Sequence, residues 1–246
     1  MNKELPEKIR ISKFLASYNI GSRREIERMI EEGRIQLNGQ KLISPVHFVD
    51  KKDSIKLDGK LLIFKKFKQI YKFYKPIDCI CSKNKQDERK IVYDLLPKKF
   101  NNFIFAGRLD VNSEGLLIIT NDGGVARSLE LPKNKFTRKY MIRVYGVCEE
   151  KKIDNLSKGK KINGIQYRPF RYKIFNKDKK NFWIEIELKE GKNREIRELM
   201  RSINLQVNKL TRLEFGPFKI SNLKPGEIKI AETREIKQYE DYLGKI

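Results

Sequence analysis

Two apolar runs of strand length lie close together near the middle of the chain and enclose a charged motif. The runs are FIFA at residues 103–106 and LLIIT at 116–120, and the motif GRLD lies at 107–110. Short apolar runs of this kind predict buried strands, so Asp110 is expected on the loop between them. A buried sheet has no need for an ionised carboxylate there. From the residues alone, Asp110 can be a nucleophile, a general base or a structural cap of the turn.

The chain after residue 69 alternates strand and helix patterns. Residues 183–188 alternate apolar and acidic side chains, which predicts a strand with one buried face. The segment EGKNREIRELMR is expected to form a helix that starts at Asn193 and carries Arg194, Arg197 and Arg201 on one basic face. An arginine at the border of the apolar stripe needs a carboxylate partner when it is buried, and Asp110 is the partner that we expect.

Tyr140 follows Arg138 and Lys139 at the start of a predicted strand. A tyrosine at this place can stack on a nucleobase and use its hydroxyl as donor or acceptor. The alternative is an ordinary strand tyrosine whose ring lies in the core, and the residues alone leave both interpretations open.

The N-terminal segment predicts a small α/β unit. Ser22 and Glu25 form a capping box that starts a helix, and Arg23, Arg24 and Arg28 lie away from the apolar stripe of that helix. The Asn-Gly pair at 38–39 predicts a β-hairpin, and the residues around Asp58-Gly59 repeat the pattern. The basic and aromatic segment 64–76 is expected to be a linker followed by an edge strand.

The charge of the chain indicates the class of its partner. With 55 Lys and Arg against 32 Asp and Glu, the formal net charge is +23. Residues 1–69 carry 16 basic and 9 acidic side chains, so the excess is not confined to a single tail. A basic surface of this size favours nucleic acid over small metabolites.

Several kinds of chemistry have little support in the sequence. His47 is the single histidine, so a His-based triad or metal site would depend on that residue alone. The three cysteines, Cys79, Cys81 and Cys148, lack the spacing of a zinc site. We therefore expect no metal site. No run reaches the ~20 apolar residues of a membrane span, and residues 1–10 lack the apolar region of a signal peptide, so a cytoplasmic location is expected.

Residues 9–61 resemble the S4-like RNA-binding domain. The resemblance is carried by SRREIERMIEEGRIQLNG, which holds the helix cap, the basic pair and the Asn-Gly turn in order. It implies that Arg23, Arg24, Arg28 and Arg34 contact RNA phosphates, which position RNA without reading its sequence. We accordingly expect an RNA-binding domain and linker over 8–68 and a larger domain over 69–246.

Four segments of the larger domain resemble the RsuA/RluB/RluF family of ribosomal-RNA pseudouridine synthases. They are GRLDVNSEGLLIITNDG, TRKYMIRVYG, EGKNREIRELM and LTRLEFGPFKISNLKPGE. The resemblance implies an α+β fold, with the small S4-like α/β domain followed by a mainly antiparallel mixed sheet flanked by helices. Two residues depart from the family pattern: Asp78 replaces the glycine of a KPxG-type turn, and Leu131 precedes Pro132 where a histidine is frequent.

The family resemblance also implies residue roles and a reaction. Asp110 matches the catalytic aspartate, Tyr140 the tyrosine that stacks on the target base, and Arg197 the arginine that pairs with the aspartate, with Arg194 as the alternative. Arg108 matches a residue that helps to extrude the target nucleotide. The implied reaction is isomerisation of uridine to pseudouridine in ribosomal RNA or a pre-ribosomal particle by a monomer without cofactor.

The residues leave three points open. The N-terminal motif is closest to the RluB-like branch, which predicts a large-subunit (23S) target, with small-subunit (16S) RNA as the alternative. A non-catalytic rRNA-binding assembly factor is a further alternative from another class. The carboxylate can attack the sugar or remove a proton from it.

Overall fold

The protein forms two compact units. The computed structural model describes residues 8–18, 20–50, 52–64, 68–85, 87–176 and 180–246. The first unit holds the described residues up to Gln69 together with Lys99–Phe103 and Asn121–Gly123. The second unit holds Ile70–Lys98, Ile104–Thr120 and Gly124–Ile246. Residues 65–67, which belong to the expected linker, lie outside the described residues.

The first unit packs two helices against short strands. Its elements are β1 (Ile9–Arg10), α1 (Ile11–Ser17), α2 (Arg23–Glu31), β2 (Ile35–Leu37), β3 (Gln40–Lys41), β4 (Phe48–Val49), β5 (Ile55–Leu57) and β6 (Lys60–Leu61). The apolar stripes of both helices supply the core, where Ile11, Leu15, Ile26 and Ile30 are fully buried. The capping box of α2 is confirmed, because the amide of Glu25 donates to Ser22 Oγ and the amide of Ser22 donates to Glu25 Oε2.

The two predicted hairpins of this unit are confirmed. Strands pair in the order β3-β2-β5-β6, and the tight turns lie at 38–39 and 58–59. Asn38 and Gly39 have φ of 51° and 87°, and Asp58 and Gly59 have φ of 50° and 79°. Two successive positive φ values match the twist of an antiparallel hairpin, which is why Asn-Gly and Asp-Gly are favoured there.

The described residues of the second unit form thirteen strands and four α-helices. They are β7 (Ile70–Lys75), β8 (Cys79–Ile80), β9 (Lys90–Ile91), β10 (Ile104–Ala106), β11 (Glu114–Thr120), α3 (Gly123–Glu130), β12 (Arg138–Tyr145), α4 (Glu150–Ser157), β13 (Lys161–Ile162), β14 (Ile165–Gln166), β15 (Arg171–Phe175), β16 (Asn181–Leu188), α5 (Glu195–Arg201), β17 (Gln206–Phe215), β18 (Phe218–Lys219), β19 (Ile228–Ile230) and α6 (Thr233–Leu243). No helix in the described part of the chain combines the length and the apolar character that crossing a membrane requires.

A nine-stranded mixed sheet organises the second unit. Its main path is β15-β16-β12-β17-β11-β7-β19, with β10 beside β11 and β18 beside β17. Within this sheet β11 and β17 run parallel, and the other described pairs are antiparallel. Every residue of β11 is buried, as expected for an apolar run covered on both faces. The predicted α+β class with a mainly antiparallel mixed sheet is confirmed.

The predicted edge strand is wrong, because β7 lies between β11 and β19. Its lysines find buried partners in place of solvent. Lys72 is 3% exposed, and its Nζ donates to Glu235 Oε1 at 2.9 Å. The alternating basic pattern therefore marks specific buried interactions, which sequence periodicity cannot distinguish from a solvated face.

Candidate active site

The second unit contains an open cavity of about 1140 Å³ that is lined by several charged and aromatic side chains. Its walls come from four stretches, at 80–83, 107–113, 138–140 and 191–197, and from the end of β17. All five residues predicted for this part of the chain line it: Arg108, Asp110, Tyr140, Arg194 and Arg197. The cavity is slightly larger than the ~300–1,000 Å³ range of small-molecule sites, and it is open to solvent.

Asp110 lies on the predicted loop between two strands, β10 and β11. The loop begins at Gly107, whose φ of 70° suits glycine, and the amide of Gly107 donates to Glu130 Oε1 at 2.6 Å. The amide of Ser113 donates to the carbonyl oxygen of Asp110 at 3.0 Å and closes the turn. The carboxylate is therefore carried by a backbone that is fixed at both ends.

A buried lysine, Lys75, which the sequence did not indicate as a site residue, binds the main chain of the same loop. The Nζ of Lys75 donates to the carbonyl oxygens of Pro76 at 2.9 Å, Val111 at 3.3 Å and Ser113 at 2.8 Å. Lys75 has no exposed surface, and this burial lowers its pKa. Because an ammonium forms strong hydrogen bonds to carbonyl oxygens, Lys75 fixes the position of the Asp110 loop.

The ion pair of Asp110 is with Arg194. Arg194 Nη1 lies 3.6 Å from Asp110 Oδ2, and both side chains are about two-fifths exposed, at 45% and 37%. The expectation that Arg197 pairs with this carboxylate is corrected. Arg197 instead donates to the carbonyl oxygens of Asn112 at 2.8 Å and Val207 at 3.0 Å and, more weakly, to Ser113 Oγ at 3.5 Å.

The start of α5 explains this exchange of roles. The helix begins at Glu195, and Arg194 precedes it with a φ of 51° in the left-handed region. The predicted single basic face is therefore wrong, because Arg194 does not continue the helical spacing of Arg197 and Arg201. Burial lowers the pKa of Arg197 and Arg194 adds to this effect, while Asp110 opposes it.

Tyr140 lies on β12, where it is 8% exposed and lines the cavity. It is aligned with Ile186 of β16 and with Arg212 of β17. The pairing with β17 shifts register between Lys139 and Tyr140. Such irregularities re-aim side chains and are common beside active sites. The Tyr140 ring is thus mostly buried but borders the cavity, and its stacking on a nucleobase stays a prediction.

Two buried arginines of the cavity were missed as site residues. Arg138 and Arg212 are 6% and 2% exposed, and their guanidinium carbons lie 4.6 Å and 5.0 Å from the centre of the Phe215 ring. Arg138 donates to the carbonyl oxygens of Phe136, Leu129 and Glu130. Although long charged side chains are rarely buried without a reason, the available signal was weak, because other charged residues accompany both arginines in β12 and β17.

A buried pair of carboxyl groups supports the loop that carries Arg194. Glu195 accepts from the amide of Lys192 at 2.8 Å, and Glu190 accepts from the amide of Arg168 at 2.7 Å and contacts Lys192 Nζ. Burial, with Glu190 adding to it, raises the pKa of Glu195 to about 7. Although burial opposes it, hydrogen bonds from Lys192 and Arg168 lower the pKa of Glu190. Glu195 therefore takes up a proton as pH falls through about 7, while Glu190 stays ionised.

The predicted RNA-binding arginines of the first unit differ in their surroundings. Arg23, Arg24 and Arg28 are exposed on α2. Arg34 makes a bidentate contact with Asp58, with Nε–Oδ1 at 2.9 Å and Nη2–Oδ2 at 2.7 Å, and this partner raises the pKa of Arg34. Arg108 of the second unit is exposed at the cavity wall. Across the described ranges, no set of three or more His, Cys, Asp and Glu side chains is placed to hold a metal ion.

Comparisons with known proteins agree with the two units. The family model described as RNA pseudouridylate synthase matches residues 69–202, and the S4 domain model matches residues 9–55. A solved structure described as a pseudouridylate synthase superposes with a TM-score of 0.67 at 22% identity, covering 94% of this chain and 99% of the other. At that identity the superposition supports the fold.

Relatives in bacteria are similar over most of the chain. A protein of Rickettsia felis named as an uncharacterized RNA pseudouridine synthase is 40% identical over 220 residues, which cover 89% of this chain and 95% of the relative. A protein of Buchnera aphidicola (Schizaphis graminum) named ribosomal large subunit pseudouridine synthase B is 39% identical over 227 residues, 89% of this chain and 88% of the relative. A protein of Yersinia pestis with the same name is 36% identical, covering 86% of this chain and 68% of the relative.

Proposed function

Because the chain belongs to the RNA pseudouridylate synthase family, we propose that it isomerises a specific uridine of large-subunit (23S) ribosomal RNA to pseudouridine. The observation that carries the proposal is the position of Asp110. Its carboxylate is half-exposed at the wall of a large open cavity, on a loop fixed by buried cations and beside Arg194. The names of the Buchnera and Yersinia relatives support the large subunit as the source of the RNA.

Each proposed catalytic residue has a role that its surroundings support. The target uridine leaves its stack and enters the cavity, at a cost of a few kcal/mol that the basic surface offsets. Tyr140 offers its ring to the base. Asp110 attacks the sugar at C1′ or removes the proton at C2′, and Arg194, whose Nη1 lies 3.6 Å from Asp110 Oδ2, orients the carboxylate. Arg197 holds the loop of Asp110 and acts as a positioning residue, and Arg108 helps to extrude the nucleotide at the cavity wall.

The first unit supplies the RNA contact in this proposal, as an S4-type domain over 8–68 joined to a catalytic domain over 69–246. Arg23, Arg24 and Arg28 are exposed and available for phosphates. Arg34 contributes less, since Asp58 already accepts two of its hydrogen bonds. The protein works on ribosomal RNA or a pre-ribosomal particle as a cytoplasmic monomer without cofactor.

The test maps pseudouridine in large- and small-subunit ribosomal RNA after incubation with purified protein. We expect the wild type to modify large-subunit RNA and Asp110→Asn to be inactive. Asp78→Asn is the matched control, because Asp78 is exposed and does not line the cavity, and it should retain activity. Modification confined to small-subunit RNA would reassign the substrate. RNA binding without any modification by the wild type would support the non-catalytic assembly factor.

A second experiment tests the role of the first unit. Replacing the three α2 arginines with alanine should weaken RNA binding and reduce the slope of log K against log salt by roughly 0.7–0.9 for each lost phosphate contact. The thermal midpoint should stay the same, since the three side chains are exposed. An unchanged salt slope would mean that this helix face is merely solvated.

A further inference from the structure

Arg212 is a buried cation of the cavity whose hydrogen-bonding capacity is largely unused. It is 2% exposed and lines the cavity. Its Nε donates to the carbonyl oxygen of Leu116 at 2.7 Å, whereas its Nη2 is buried and has no hydrogen-bond partner. In the described part of the chain, no carboxylate forms an ion pair with it. A guanidinium offers five N–H donors, so most of those of Arg212 are available to a ligand.

Two other arginines of the cavity, the buried Arg138 and the half-buried Arg197, give a comparison. Arg138 and Arg197 each make three hydrogen bonds, mainly to backbone carbonyl oxygens. Those contacts give both residues a structural explanation, although Nε of Arg197 is also buried without a hydrogen-bond partner. Arg212 makes one such bond. A buried charged donor without a hydrogen-bond partner costs free energy, and an apolar side chain at the same position would avoid that cost. Its retention points to a partner that arrives with the substrate.

The surroundings of Arg212 leave room for that partner. A Cβ atom added at Gly107 would lie 3.9 Å from Arg212 Nη1 and 3.7 Å from Phe215 Cε1. The glycine that starts the Asp110 loop therefore leaves open a space directly beside the guanidinium. The start of the Asp110 loop and the guanidinium of Arg212 thus border the same part of the cavity.

The depth of Arg212 selects the part of the nucleotide that it meets. A phosphodiester continues into chain on both sides and stays near the cavity mouth, where Arg108 and Arg194 are exposed or half-exposed. The base is the terminal, planar part of an extruded nucleotide and can reach a donor that is nearly inaccessible to solvent. Its two carbonyl oxygens, O2 and O4, are acceptors that suit N–H donors.

We propose that Arg212 donates to a carbonyl oxygen of the target uracil and stabilises the negative charge that the base acquires when its glycosidic bond breaks. This inference rests on the proposed function. In either route the electron pair of the C1′–N1 bond moves to N1 and is shared with O2 and O4. The C1′–C5 bond then forms as the bond between Asp110 and C1′ breaks, or as Asp110 returns the proton to C2′. C5 releases its proton, and N1 takes up a proton. Arg212 remains protonated throughout. Because it contacts the reacting base, it is a catalytic residue for base detachment.

The experiment compares single-turnover rates and RNA affinities of wild type and Arg212→Gln. Loss of a preorganised donor to developing negative charge typically slows the reaction roughly 100- to 1,000-fold, and we expect a loss in that range with RNA affinity unchanged within about twofold. Arg143→Gln is the matched control, because Arg143 is exposed on β12 outside the cavity, and its rate should equal that of the wild type.

A second substrate separates charge stabilisation from a structural role. In RNA that carries 5-fluorouridine at the target site, the fluorine withdraws electrons and makes the base a better anionic leaving group. The loss caused by Arg212→Gln, measured as cleavage of the original glycosidic bond, should therefore be smaller for 5-fluorouridine than for uridine. If Arg212→Gln does not fold, Arg212→Lys keeps the charge and should show the same substrate dependence in weaker form.

The possible outcomes are distinct. Equal rate losses on both substrates would overturn the inference, because a structural role does not depend on the leaving group. Weaker RNA affinity with an unchanged single-turnover rate would also overturn it and make Arg212 a phosphate ligand. An inactive wild type, or an active Asp110→Asn, would instead contradict the proposed function itself.

Discussion

Gly115→Ala tests how the parallel pairing of β11 and β17 supports the cavity. Gly115, the second residue of β11, lies beside Arg212 of β17 in the parallel register and has a φ of 104°. A Cβ atom there would lie 2.4 Å from the carbonyl oxygen and 2.7 Å from the amide nitrogen of Arg212. Since real Cβ atoms essentially never approach within 3.0 Å, the strands must separate by at least about 0.6 Å.

Two free-energy terms add up in this variant. Holding alanine at a positive φ costs about 1–3 kcal/mol, and forcing a methyl group against packed atoms costs about 1–3 kcal/mol more. Because those atoms are main-chain atoms, no side-chain rotation relieves the contact. We expect the free energy of unfolding of the second unit to fall by roughly 2–6 kcal/mol.

Gly226→Ala is the matched control for the first of the two terms. Gly226 has a φ of 83°, and a Cβ atom there would have no heavy atom within 4 Å. This variant should lose only the backbone term, so the difference between the two variants, about 1–3 kcal/mol, isolates the contact with Arg212.

Urea denaturation followed by tryptophan fluorescence measures both variants. Trp183, the single tryptophan of the chain, lies on β16 and reports on the second unit. At conditions where both variants are folded, Gly115→Ala should also form pseudouridine more slowly, because it displaces Arg212 beside the Asp110 loop. Equal unfolding free energies for the two variants would refute the steric reasoning.

Three further predictions concern the supports of Asp110. Arg194→Ala should change the free energy of unfolding by less than about 1 kcal/mol, because its ion pair with Asp110 is partly solvent-exposed. The same variant should form pseudouridine at least about tenfold more slowly, because the Asp110 carboxylate loses its orientation. Equal rates for the variant and the wild type would refute this role. Burial raises the pKa of Glu195 from 4.5 to about 7, so its stabilising contribution is complete below pH 4.5 and is lost as pH rises through 7, by up to about 3 kcal/mol. Glu195→Gln should remove this pH dependence of the unfolding free energy in urea titrations between pH 4.5 and 8. The same pH dependence in the variant and the wild type would contradict the prediction. Lys75→Met removes three hydrogen bonds to carbonyl oxygens and should lower the free energy of unfolding by roughly 3 kcal/mol. Hydrogen exchange measured by mass spectrometry should be faster for the amides of residues 110–113. Unchanged exchange there would show that the loop does not depend on Lys75.

Local patterns in the sequence determined much of the fold. The capping box at Ser22, the Asn38-Gly39 turn and the fully buried β11 all follow from interactions between residues close in the chain. The order of the four quoted motifs identified the family, which the comparisons confirm. The loop position of Asp110 also followed from the two apolar runs that flank it.

Tertiary structure decided which charged side chains meet. Sequence spacing placed Arg194 and Arg197 on one helix face, but a left-handed residue at Arg194 separates them and brings Arg194 to Asp110. Sequence periodicity also failed to place β7 in the interior of the sheet. Lys75 and Arg212 were not assigned roles, because 36 or more positions separate each of them from a main-chain partner that it contacts. The sequence by itself thus determined the elements and the family, since those depend on local propensity and periodicity. Only the tertiary structure determined the partners of the buried cations, because hydrogen bonds between residues distant in the chain leave no periodic signal.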